Sequence, residues 1–267
     1  MTEQQQVIAD LTADADVVDG LVAGLDDAGW SRQTPAPGWT VKHQIAHLSF
    51  VLGIAGTAAA EPERFRAMIA STGGNFDAAV NASFDDYLSD PPEVLLTRWR
   101  AERDSAIKAL DAVPADALVP WLVRPLPPFV LACAGMMELF AHGQDIADAL
   151  GVRVLRTDRI RYVAQFATMV WDFGYQARDL PIPDVQFRYE LVAPSGEAWE
   201  FGPADAEQRI TGPAVDFCLL ATRRRHRDDL AVSAVGAEAD HWLDIAQAYR
   251  GAPGAGRTPG QFAGPRS

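Results

Sequence analysis

The stretch Met136-Met137-Glu138-Leu139-Phe140-Ala141-His142-Gly143-Gln144-Asp145 decides how this chain is read. It has the pattern of a helix, and Glu138 and His142 stand four apart in it. On an α-helix an i, i+4 pair shares one face, with Cβ atoms about 5–6 Å apart, close enough to hold a single ion. A glutamate flanked by Met136, Met137, Leu139 and Phe140 is a partly buried carboxylate, and such a group needs a partner or a metal. A second helical stretch, Trp39-Thr40-Val41-Lys42-His43-Gln44-Ile45-Ala46-His47-Leu48, supplies His47. Two histidines and a glutamate from two helices leave a divalent ion with an open coordination position, which fits a catalytic site better than a closed structural one. Zn suits such a donor set, as do Ni, Fe and Mn to differing degrees.

Neighbouring residues qualify this picture. Taken alone, His47 is a core histidine bonded to a neighbour; Glu138 and His142 give it a metal to share. His43, four before His47, shares its face and by spacing is a candidate fourth ligand, which would close the site. Asp145 lies one turn beyond His142. It reads either as a carboxylate that orients a ligating imidazole, behind the ligands themselves, or as a link to a neighbouring helix. Asp148 has the setting of a surface acid.

Working outward, Val7, Leu11, Val18, Leu21, Val22 and Leu25 recur at helical spacing and predict an amphipathic helix over 3–27. Pro35 and Pro37 end it, and Thr40 can cap a second helix to about residue 60. Shorter helical pieces are expected over 62–88 around Thr72-Gly73-Gly74-Asn75. Asp90-Pro91-Pro92-Glu93 opens a long helix through Leu110, with prolines tolerated in its first turn. The helix of Glu138 and His142 ends near Gly151. Four long helices predict an up-and-down bundle over 1–152.

The pattern then changes. One aromatic-rich helix is expected over 157–179. Val185–Val192 alternates with period two, as a half-buried strand does, and Pro194-Ser195-Gly196 turns it into a second strand over 197–201. A strand over 207–210, a helix over 213–222, a strand over 230–235 and a helix over 240–250 complete a small α+β domain over 153–250. Gly and Pro dominate from 251 to 267, which predicts a disordered tail.

Composition limits the function. The chain has 267 residues, 48% hydrophobic and 22% charged, so it is globular. A net charge of -13 argues against a general nucleic-acid or anionic-membrane surface. The first residues lack the basic start and apolar core of a signal peptide, and no apolar run reaches the roughly 20 residues of a membrane helix. A cytoplasmic location is expected. Cys133 and Cys218 lie in apolar runs, as packing residues do rather than nucleophiles.

Thr34-Pro35-Ala36-Pro37-Gly38-Trp39-Thr40-Val41, then Ala46-His47-Leu48, then Glu-x-x-x-His-x-x-Asp over 138–145, resembles the DinB-like superfamily. Within it, the chain is similar to the mycothiol-dependent maleylpyruvate isomerase type of actinobacteria. Gly212-Pro213-Ala214-Val215-Asp216-Phe217 and the arginines behind it resemble the second half of that group. The resemblance implies a DinB-like four-helix bundle followed by a small α+β domain. It implies a divalent ion, usually zinc, on His47, Glu138 and His142, with no role for His43. It also implies a low-molecular-weight thiol, mycothiol or bacillithiol, as co-substrate, and an arginine of the second domain that reaches the active site.

Arg223-Arg224-Arg225-His226-Arg227 is the dense basic run of an acidic chain. It reads as a solvated turn partly offset by Asp228 and Asp229, or as a pocket wall. In the second reading Arg224 and Arg225 bind a substrate carboxylate or a thiol cofactor's acidic groups through bidentate contacts. The leading expectation is therefore a divalent-metal-dependent enzyme of small-molecule metabolism. It would activate a mycothiol-like thiol for isomerisation or S-transfer on an electrophilic substrate such as a carboxylic acid. The alternatives are a hydrolase or lyase that uses metal-bound water without a thiol, and a non-catalytic binding protein that retains the metal.

Overall fold

Thr2 caps the first helix, its hydroxyl accepting from the Gln5 amide while the Gln5 side chain accepts from the Thr2 amide. This reciprocal box satisfies two of the orphan donors that every helix start leaves. The computed structural model describes residues 1–71, 84–122 and 124–262, in two compact units, Met1–Val154 and Leu155–Ser267.

The first unit is built on four long helices: α1 (Glu3–Val22), α3 (Val41–Ala60), α5 (Pro92–Ala112) and α6 (Pro128–Leu150). Two shorter ones, α2 (Asp27–Trp30) and α4 (Pro62–Ser71), flank α3, and residues 84–89 are helical. The expected helix over 3–27 thus stops at Val22, and Asp26 caps α2 instead through a bond from the Gly29 amide. The Thr72–Asn75 segment lies outside the described residues. α3 packs against α5 and α6, and α1 against the same pair, which closes the bundle. Leu11, Ile45, Leu48, Leu52, Leu95, Trp99, Leu110 and Phe140 are fully buried between them. Gly56 lets α3 approach α5 closely, since a Cβ there would lie 3.0 Å from Ala106 Cα. Gly151, at φ 69°, ends α6 in the left-handed conformation that glycine adopts without a steric penalty.

In the second unit a four-stranded sheet runs in the order β2-β1-β3-β4. β1 (Phe187–Val192) pairs antiparallel with β2 (Ala198–Phe201) and parallel with β3 (Gln208–Pro213), which pairs antiparallel with β4 (Ser233–Val235). Two helices, α9 (Ala214–Ala221) and α10 (Ala237–Ile245), pack on it through an aromatic core. Phe217 stacks on Trp242 at 5.9 Å between centroids, and Tyr189 meets both rings edge-on.

Three expectations for this unit are corrected. The aromatic segment over 157–179 is a 3-10 turn and two helices, α7 (Arg161–Met169) and α8 (Phe173–Gln176), with a break at Val170–Asp172. The break frees the Trp171 carbonyl to accept from the Trp242 indole at 2.9 Å. The last helix ends at Ile245 rather than 250, because the next residues turn to extended backbone and Ala248 donates to the Ala221 carbonyl. The tail expected to be disordered is anchored as far as Phe262. Gly260 N–H donates to the Asp229 carboxylate, and the Arg225 guanidinium lies 3.7 Å from the Phe262 ring centroid. Residues 263–267 lie outside the described residues.

Candidate metal centre

α3 and α6 pack side by side, so His47 on one faces Glu138 and His142 on the other. One ligand atom of each residue lies within 4.8 Å of the others. Glu138 Oε2 is 3.4 Å from His47 Nε2 and 3.2 Å from His142 Nε2, and the two imidazole centroids are 4.4 Å apart. The side chains are 22%, 19% and 12% exposed for His47, Glu138 and His142, so the cluster is sheltered yet reachable. Burial pushes the Glu138 carboxyl up, but hydrogen bonds and charge from His142 and His47 outweigh it and hold the group well below the ordinary carboxylate range.

A relay behind the cluster fixes the His142 ring. The Thr34 hydroxyl donates to the Trp39 carbonyl at 2.8 Å, so toward Gln44 it can only accept, and it does so from Gln44 Nε2 at 2.9 Å. Gln44, fully buried, therefore turns its amide oxygen toward His142 Nδ1. An amide oxygen accepts only, so Nδ1 carries the proton. In the neutral ring Nε2 is then a lone pair facing the Glu138 carboxylate, 3.2 Å away, and a proton placed there gives the charged ring that donates to Glu138. Two acceptors so placed need a cation between them, either a proton or a metal ion. Two imidazole nitrogens and one carboxylate oxygen are a donor set for divalent zinc and its neighbours, so these residues fit a metal.

Trp39 walls the cluster. Ala36-Pro37-Gly38-Trp39 forms a turn closed by the Trp39 amide donating to the Ala36 carbonyl, with proline second and Gly38 third at φ 78°, the arrangement of a type II turn. The indole stacks on His142 at 5.9 Å, lies 5.5 Å from His47, and stacks on Phe84 at 5.2 Å.

His43 has a different task from the one its spacing suggested. Its Nδ1 accepts from the Thr40 amide at 3.2 Å and lies 2.7 Å from the Thr40 hydroxyl, which ties it to the start of α3. Burial, then the charge of Lys42, pushes its pKa down. Among the described residues, the convergent set comprises His47, Glu138 and His142 without it.

Asp145 is fully buried on α6. The partner found at His142 Nδ1 is Gln44, to which the sequence had assigned no role. Its position three before His47, hence on the same helix face, was the available signal. Arg224 and Arg225 lie in the second unit. Arg224 is buried and donates to the Thr222 carbonyl, and Arg225 donates to the Arg224 carbonyl at 2.7 Å. Cys133 and Cys218 are buried and unbridged, each thiol pushed up by burial, so neither is poised as a nucleophile.

Fold and cluster together define a helical bundle with a convergent His/His/Glu set, joined to an α+β unit. The sequence profile of the mycothiol maleylpyruvate isomerase N-terminal domain matches residues 11–147, about half the chain, and the chain belongs to that family. A second profile, wyosine base formation, matches residues 184–235. Uncharacterized proteins from two Mycobacterium tuberculosis strains are each 40% identical over 257 residues, covering 96% of this chain and all of theirs. The crystal structure of the mycothiol-dependent maleylpyruvate isomerase has the same fold, with a TM-score of 0.56 at 15% identity over 86% of this chain and 92% of that one. A mutant of that isomerase superposes equally well, with a TM-score of 0.57 at 14% identity and the same coverage. Among the described residues, no helix is long and apolar enough to cross a membrane.

Proposed function

We propose that this protein is a divalent-metal-dependent enzyme that uses a low-molecular-weight thiol of the mycothiol type on a small electrophilic substrate. The observation that carries the reading is His142 Nε2 facing the Glu138 carboxylate at 3.2 Å, with Gln44 on Nδ1 and His47 closing the third side, in a chain of the isomerase family. His47, Glu138 and His142 would hold the ion, zinc in the first instance. A bound divalent ion would supply Lewis acidity, which lowers the pKa of a coordinated thiol toward neutrality.

The chain's own residues do the rest. Gln44 keeps the His142 proton on Nδ1, so that Nε2 is always the ligand nitrogen. Trp39 shields the imidazoles from water on one side. Glu138 is committed as a ligand and is not free to act as a base. The reaction class is addition of the thiol sulfur to an electrophilic carbon; bond rotation and loss of the same thiol then give the isomer, and loss of another leaving group gives the S-transfer product. A carboxylic acid such as maleylpyruvate is the substrate class to try first. The two unbridged cysteines suit a reducing cytoplasm as the place of action.

The test is turnover of maleylpyruvate by zinc-loaded protein, with and without mycothiol. Turnover that requires the thiol supports this reading. Equal turnover without it favours metal-activated water, and none with any thiol and electrophilic acid favours a binding protein.

A further inference from the structure

We propose that the turn after α9 and the returning C-terminal segment form a second binding site, a pocket for a small, multiply charged oxyanion of the phosphate type. The starting observation is a helix ending made by the wrong residue. After the cap residue Thr222, Arg223 N–H donates to the Leu220 carbonyl and Arg224 N–H to the Leu219 carbonyl, both at 2.8 Å. That bond pair is the Schellman ending, whose left-handed position is normally glycine. Here it holds Arg223 at φ 58°. A side chain in that region carries strain, and strain of this kind persists where the side chain is needed.

The Arg223 guanidinium lines a cavity of about 140 Å³, several times the room one water needs. Arg225, His226, Arg227 and Arg257 line it too, with Asp244 the one acid among the described lining residues. Arg227 already binds that acid at 2.8 Å and pairs with Asp240 as well. Arg223 Nε is buried and meets no hydrogen-bond partner. An unmet buried donor in a wall of arginines calls for an acceptor, and guanidinium forks match phosphate and carboxylate oxygens. A phosphate offers several oxygens to convergent guanidinium groups, where a monocarboxylate offers two.

Two further features agree. Gly256 seats the returning segment against Arg223: at φ 73°, a Cβ there would lie 2.7 Å from Arg223 Nη2. Burial, and then the charge of Arg223, pushes the nearby Arg178 guanidinium below its ordinary value, a sign of local positive field. The site does not draw on the metal-thiol reading, and it gives the basic run a use other than substrate binding by Arg224.

The experiment titrates inorganic phosphate into the full chain at constant ionic strength, following Tm and heat of binding, with acetate as the monovalent control. Native protein is expected to bind phosphate saturably and gain Tm, with no comparable response to acetate. Arg223→Gly is expected to melt higher than native protein without phosphate, because glycine relieves the left-handed strain, yet to lose the phosphate response. Arg223→Gln keeps the strain and also loses the response. A native protein with no saturable response, an equal response to acetate, or an Arg223→Gly variant that responds like native protein overturns the proposal.

Discussion

His142 on α6 and Arg223 after α9 are both cationic-type side chains in sheltered polar pockets, but their surroundings make opposite demands. Around His142 the acceptors are in surplus: Gln44 Oε1 accepts from Nδ1–H, and Nε2 and the Glu138 carboxylate are left facing each other. Around Arg223 a donor is left over, a buried Nε that meets no acceptor in a pocket wall that Arg225, Arg227 and Arg257 share. The first arrangement is completed by a cation and the second by an anion. A net charge of -13 reveals neither, because each depends on a few atoms and not on the sum.

The contrast can be broken at several points. Glu138→Gln keeps the shape of the side chain and removes the charge that pulls a cation between the imidazoles. Zinc affinity, read by competition with a chelator, should fall by more than the roughly 10–100-fold typical of losing a residue behind a ligand. Native-like affinity in that variant would remove the electrostatic half of the comparison. Gln44→Leu should cost about 10–100-fold in zinc affinity while the helical circular dichroism stays native, because His142 is then free to place its proton on either nitrogen. An unchanged affinity would mean that the relay from Trp39 through Thr34 does not set the tautomer.

Gly256→Ala sharpens the other side. The added methyl should push the returning segment off Arg223 and weaken phosphate binding, while metal content stays at the native level. A variant that lost metal along with phosphate would show that the two sites are not independent.

The smallest effect belongs to an ordinary ion pair. Arg100 holds Asp19 bidentately at 2.7 and 2.9 Å between α5 and α1, and this bond, against the opposing pull of burial, keeps the Asp19 carboxyl below its usual value. A depressed carboxyl stabilises the fold above the ordinary carboxylate range, near pH 4, and that contribution is lost as pH falls through the lowered value. Because Arg100 is substantially exposed, Asp19→Asn should cost at most about 1 kcal/mol at neutral pH and nothing in strong acid, by urea unfolding at the two pH values.

Much of this was legible in the chain. The i, i+4 spacing of Glu138 and His142, a histidine on a second helix and the alternation in β1 each follow from local periodicity, which sequence carries directly. What escaped depends on distant contacts. The break at Val170–Asp172 answers to Trp242, 71 residues beyond Trp171. The anchoring of the tail answers to Asp229 and Arg225, so its Gly and Pro content alone could not reveal it. Gln44 is one buried amide among many polar residues until Thr34 and His142 are seen at its two ends. The end of α9 at Thr222 was legible, but the left-handed Arg223 that follows it was not, because the usual marker, glycine, is missing there.

The most direct test of the central claim is the metal content of the purified protein by elemental analysis, beside His47→Ala and His142→Ala. About one equivalent of a divalent ion in the native protein, absent from both folded variants, is the predicted result. A folded native protein that carries no ion and takes up none from zinc-containing buffer would contradict it.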